Sequence, residues 1–143
     1  MRHRLHSESG FTLVELLVVL LILGMLAAFA ITAFFNQRDK ARDAEAKQHI
    51  STAQTAIETY AADQNGNYAG ASVDVLQGIE SALGAVDDGD FTVQANAFGL
   101  RYRIGIVSDS GNEFWLRRGV DGSLSHPCAD PGSAGCPSSG FWD

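Results

Sequence analysis

The chain has 143 residues, with 10 Lys and Arg against 17 Asp and Glu and a formal net charge of −7. So short a chain holds one small globular unit once any membrane segment is set aside, and its acidic balance argues against broad electrostatic binding to nucleic acid or anionic lipid. No G-x-S-x-G, H-E-x-x-H, P-loop or Cys-His spacing marks catalysis, so neither an enzyme nor a cofactor is expected.

Residues 1–10, MRHRLHSESG, hold two arginines and two histidines but no apolar run, unlike an ordinary secretory signal. Setting them aside removes Arg2, Arg4 and Glu8 and leaves 8 basic and 16 acidic side chains. The apolar stretch then fills residues 11–35, 25 residues with a single charge, Glu15. A span of about 20 apolar residues crosses a bilayer. Basic residues before it and an acidic domain after it put the N-terminus in the cytoplasm. Polarity rises at Asn36, yet neither Gly nor Pro interrupts residues 38–64, so one helix is expected over residues 11–64. At about 1.5 Å per residue it is roughly 80 Å long, too long for a domain of this size to bury. Its second half narrows to an apolar seam at Ala46, Ile50, Ala53, Ile57 and Tyr60, the alternation of steps that one helix face requires. Asn65-Gly66-Asn67 is the stop.

A short helix is expected near residues 73–83, with Ser72 as N-cap and Leu76, Ile79 and Leu83 on one face. The sequence Asp87-Asp88-Gly89-Asp90 reads as an exposed turn; a calcium site is the weaker reading, because a ring of about seven oxygens is not legible. Strands are expected at residues 91–95, at 100–107 with Leu100, Tyr102, Ile104 and Ile106 inward, at 113–118, and in a short segment at Leu124. Hairpin turns at residues 108–112 and at Asp121-Gly122 complete an antiparallel meander whose apolar face suits the helix seam. Tyr102, Phe114 and Trp115 with Arg101, Arg103, Arg117 and Arg118 resemble a nucleic-acid stacking platform, but alternating core and surface positions explain them equally, and no nucleic-acid binding is expected. His49 reads as a solvent-facing helix residue and His126 as a loop residue. The tail carries all three prolines and both cysteines, Cys128 and Cys136, with seven residues between them. A disulfide in an oxidising compartment fits this pair better than a metal site, and the tail is otherwise held by Phe141 or Trp142.

Gly10, Phe11, Thr12, Leu13, Glu15 and Leu16, followed by an unbroken apolar helix with Gly24 and Ala27-Ala28, resemble the type IV pilin family and its type II secretion pseudopilin relatives. Residues 60–68, YAADQNGNY, look like the helix end of many of its members, whereas Thr32 stands where many have proline. The resemblance implies an α+β fold in which a long N-terminal helix, membrane-spanning in its first half, packs on a small antiparallel β-sheet, with a disulfide-bounded C-terminal loop. It implies a leader at residues 1–10, a transmembrane and filament-core helix at 11–35, and a globular domain at 36–143 that includes the helix's second half. A prepilin peptidase would cut between Gly10 and Phe11 and methylate the Phe11 amine. Glu15 would serve assembly by pairing with a neighbour's amine, since a carboxylate in a membrane helix needs a partner charge. The implied partners are the peptidase, identical or related pilin subunits, an inner-membrane assembly platform, and membrane lipid before assembly. The implied location is the inner membrane, single-pass, and then a cell-surface pilus or pseudopilus. The function expected is a structural subunit that polymerises after cleavage. The alternatives are a major pseudopilin of a secretion or DNA-uptake system and, from another class, an uncleaved membrane-anchored binding module.

Overall fold

The computed structural model describes residues 10–87 and 89–142, and at Thr32 the backbone alone. Leader positions 1–9 and Asp88 of the acidic turn lie outside the described residues. Helix α1 covers Leu13–Asp63, and the chain divides into two compact units, Met1–Phe35 and Asn36–Asp143.

In the first unit the described structure is helix alone. Its many Leu and Ala residues favour helix, and the apolar side chains stand exposed, Leu13 at 79% and Leu20 at 61%. One helix of the described chain, α1, is long and apolar enough to cross a membrane.

The second unit is built around the polar half of α1. Ala46, Ile50, Ala53 and Ile57 are buried as the seam predicts, and Ala56 and Ala61 widen the stripe. Tyr60 ends the seam half-buried but packed against the core, and its hydroxyl donates to the Ala69 carbonyl at 2.8 Å. The helix stops where expected. Asn65 and Gly66 take φ of 57° and 84°, and the Gly66 amide returns to the Ala61 carbonyl at 2.7 Å, satisfying a carbonyl the last turn leaves open.

Helix α2 covers Val73–Ile79, with Ser72 accepting from the Val75 amide as its N-cap. It is shorter than expected. Glu80 turns extended, with φ −124° and ψ 99°, and the chain resumes as a 3-10 turn over Ser81–Ala85. That interruption keeps Leu76 and Leu83 buried but turns Ile79 out, 38% exposed. Four antiparallel strands follow in the order β1-β2-β3-β4: β1 Phe91–Ala95, β2 Tyr102–Val107, β3 Glu113–Arg118 and β4 Leu124–Ser125. Leu100 was expected inward on a strand and is instead 57% exposed in a turn. The Asn96 side-chain oxygen accepts the Leu100 and Arg101 amides at 2.8 and 3.0 Å, which delays β2 until Tyr102.

The sheet's inner face, with Phe91, Ile104, Ile106, Phe114 and Leu116, joins the α1 seam, Leu76 and Leu83 in one core. The tail forms two isolated bridges, Phe114 with Cys128 and Pro127 with Phe141. Trp142 packs against the core while Phe141 stays half exposed.

Candidate functional site

At the head of α1, Gly10 and Phe11 are exposed, Phe11 at 75%. Thr12 caps the helix: its hydroxyl oxygen accepts the Glu15 amide at 3.2 Å, and its carbonyl accepts the Leu16 amide. The Thr12 hydroxyl also donates weakly to the Glu15 carboxylate at 3.5 Å. Thr12 and Glu15 thus stand at the two ends of a T-x-x-E capping arrangement, a local role for both residues that the sequence reading overlooked. Glu15 is exposed, in a stretch whose described apolar side chains are exposed as well.

The second unit hangs on α1 through two polar anchors. Asp43 is the first, fully buried. Ser110 donates to one carboxylate oxygen, while the Asn112 side chain and the Gly135 amide donate to the other, each at 2.8 Å. Burial by itself would raise this carboxyl, but the hydrogen bonds from Ser110, Asn112, Gly135 and Ser108 outweigh it and hold the group below the ordinary aspartate value. One turn on, the Lys47 ammonium donates to the Gly135 carbonyl at 2.6 Å and lies 5.0 Å from the centre of the Phe114 ring. Burial lowers the Lys47 pKa, and Asp43 opposes that shift. A single helical turn therefore grips both the β2–β3 turn and the loop closed by the Cys128–Cys136 disulfide. Gly135 permits the grip, since a Cβ there would come within 2.6 Å of the Asp43 Cβ. Asp43 was missing from the sequence reading, although it extends the seam by a further three-residue step before Ala46.

Glu58 is the second anchor. It accepts from the Tyr68 hydroxyl at 2.7 Å, the Tyr102 hydroxyl at 2.9 Å and Arg118 at 3.3 Å. Burial first, and then the bond to Glu58 and its charge, push the Tyr68 hydroxyl up to about 12 and Tyr102 higher still; Arg118 opposes both shifts.

The residues that resemble a stacking platform are divided between two faces, as alternating core and surface positions require. Tyr102 and Phe114 are buried, and Arg118 turns to Glu58. Trp115, Arg103 and Arg117 share the outer face, where Arg103 and Arg117 lie 4.2 and 5.2 Å from the indole centre. His49, expected to face solvent, is half-buried beside Glu45. His126 sits edge-on to Trp142 with 4.8 Å between ring centres. Among the described residues no group of three or more His, Cys, Asp or Glu is arranged to hold a metal ion.

A family model for the prokaryotic N-terminal methylation motif matches residues 5–31. The chain is 38% identical to the type II secretion system core protein G of Pseudomonas aeruginosa over 54% of this chain and 51% of that protein. It is 27% identical to the major component of the type IV wide pilus of Thermus thermophilus over 78% of this chain and 82% of that one. It is 36% identical to the type IV major pilin of Myxococcus xanthus over 41% of this chain and 26% of that pilin. The matches thus span about half the length, or less, of the secretion proteins. No solved structure matches the chain. The chain thus carries the N-terminal methylation motif at the head of an exposed apolar helix, and it is similar to type IV pilins and to the type II secretion core protein G.

Proposed function

We propose that this chain is a structural subunit that polymerises into a filament after a prepilin peptidase cuts between Gly10 and Phe11 and methylates the new amine. In this reading residues 1–10 are the leader, residues 11–35 cross the inner membrane with the N-terminus in the cytoplasm, and an assembly platform then draws the subunit from lipid into the fibre. The observation that supports it is the methylation motif set at the start of an apolar helix whose described side chains are exposed. Apolar surface of that extent requires a non-aqueous partner, first lipid and then other apolar helices, between which extraction costs little. Cleavage acts as a switch. Before it Phe11 is in a peptide bond and carries no charge; after it a neighbour's ammonium is able to pair with Glu15, and removing one member of a shielded pair costs on the order of 3–5 kcal/mol.

Intact mass and N-terminal sequencing of protein from native membranes and sheared fibres test the reading. The expected product begins with methylated Phe11; a chain in both fractions that still begins at Met1 overturns it. The greater identity to secretion core protein G favours a second reading, a pseudopilin of a short periplasm-spanning fibre. Long surface fibres rich in this chain support the pilus. Secretion that requires the chain, with no surface fibre, supports the pseudopilin.

A further inference from the structure

All four Lys or Arg side chains beyond Lys47, namely Arg101, Arg103, Arg117 and Arg118, lie on or beside one end of the sheet. Arg103 and Arg117 are directly opposite across β2 and β3, a like-charge pairing that weakens a sheet. They share the Trp115 indole, which lies across Gly105 so closely that a Cβ there would meet it at 2.5 Å. Among the described residues no carboxylate lies within ion-pair distance of Arg101, Arg103 or Arg117. These guanidinia line a hollow of about 490 Å³ with Gln94, Asn96 and Ser125. Phe98, Leu100 and Val120 stand exposed at the same end, at 79%, 57% and 68%. That end lies by the finish of α1, because the Tyr68 amide donates to the Gly99 carbonyl and Arg118 reaches Glu58.

The opposite end of the same unit, where the Asp43 anchor holds the β2–β3 turn, has the other sign. A second hollow there is lined by Glu45, Asp87, Asp90 and Asp109, with Arg42 and His49 as its basic members. We propose that the arginine-lined, apolar-tipped end of one ectodomain docks on the acidic end of the next copy in the fibre. This rests on the polymerising reading above and names the surfaces by which the ectodomains meet. Charge complementarity selects the partner, since unpaired guanidinia on one end meet a carboxylate-rich hollow on the other. Exposed Phe98, Leu100 and Val120 favour a folded protein surface over a bare polyanion, which charge alone would hold. Contact between two different ends of identical subunits is heterologous, and with a rotation that does not close a ring it propagates the open filament of the polymerising reading.

The test is made with full-length chains in the native host. Arg103→Glu with Arg117→Glu is expected to cut sheared fibre by more than about tenfold through like-charge contact, with the Cys128–Cys136 disulfide and membrane level retained. Adding Asp87→Lys and Asp90→Lys restores fibre if the two ends meet. Independently, chains carrying Arg117→Cys mixed with chains carrying Asp87→Cys are expected to form disulfide-linked dimers in fibres, and neither chain alone does so. Normal fibre from the double Glu variant, with no mixed dimer, overturns the contact and leaves polymerisation standing. Normal fibre that has lost binding to added DNA or heparin overturns it in favour of an external polyanion. A native chain that assembles nowhere removes the polymerising reading and this contact together.

Discussion

The two halves of α1 have the same backbone and opposite dependencies. From Leu13 to Phe35 the helix carries exposed apolar side chains on every side among the described residues. From Asn36 onward it presents a narrow seam, fully buried at Ile50, Ala53 and Ile57, and fixes the unit with the carboxylates of Asp43 and Glu58. Hydrophobicity all round a helix leaves its partner to be found outside the chain, whereas a stripe selects a partner within it. Polar anchors belong to the second half because a buried carboxylate is tolerated only where donors are already fixed around it.

The sharpest way to break this contrast is to place one charge in each half. Ile57→Asp puts an unpaired carboxylate in the core and is expected to cost on the order of 4 kcal/mol or more, enough to unfold the ectodomain. Leu20→Asp is expected to leave ectodomain unfolding unchanged while blocking membrane insertion or assembly. Denaturant titration of detergent-solubilised protein, followed by tryptophan fluorescence, reads both; an unchanged midpoint for I57D would show the core face to be misplaced. Next in size is Asp43→Ala, which leaves the donors of Ser110, Asn112 and Gly135 without their acceptor at a cost of about 3 kcal/mol. The wild-type anchor also predicts acid sensitivity. The Asp43 pKa is depressed on folding, so its contribution is present above the ordinary aspartate value of 3.8 and is lost as pH falls below it. Acid titration of the D43A variant is expected to show a shallower loss.

Opening the Cys128–Cys136 bridge by Cys128→Ser comes third, with about 2–3 kcal/mol from the chain-entropy cost of so short a loop. The loop is also held by Asp43 and Lys47, so a fall much beyond that figure would mean that the anchor depends on the bridge. The smallest effect belongs to Tyr68→Phe, about 1–2 kcal/mol for a lost hydrogen bond to a charged acceptor. Its signature is pH dependence. Folding raises the Tyr68 hydroxyl from 10.0 to about 12, so its contribution is complete below pH 10 and is lost as pH rises through 12. The variant is expected to lose part of the alkaline destabilisation expected of the native chain, and identical alkaline profiles would exclude Tyr68 as its source.

Local signals carried much of this fold into the sequence. The apolar run, the Asn65-Gly66 stop, the Ser72 cap and the alternation along β2 and β3 depend on neighbours within a few residues, and each was legible without knowing what lay across the core. The motif at Gly10, Phe11 and Glu15 was legible for the same reason, as a short contiguous pattern. The end of α2 at Glu80 and the removal of Leu100 from β2 were not, because hydrophobic spacing says nothing of an Asn96 side chain that caps a turn from four residues away.

By itself the sequence determined that a methylation motif heads a long apolar helix, that the helix continues into an amphipathic half, and that an antiparallel meander and a cysteine-bounded loop follow. Only the tertiary structure decided that Asp43 and Glu58 would serve as anchors, because their donors come from Ser110, Asn112, Gly135, Tyr68, Tyr102 and Arg118, up to 92 residues distant in the chain. It also decided that four arginines would collect at one end and carboxylates line the other. Side chains so far apart in sequence meet only after the sheet has folded onto the helix, and no local periodicity encodes which of them will share a carboxylate.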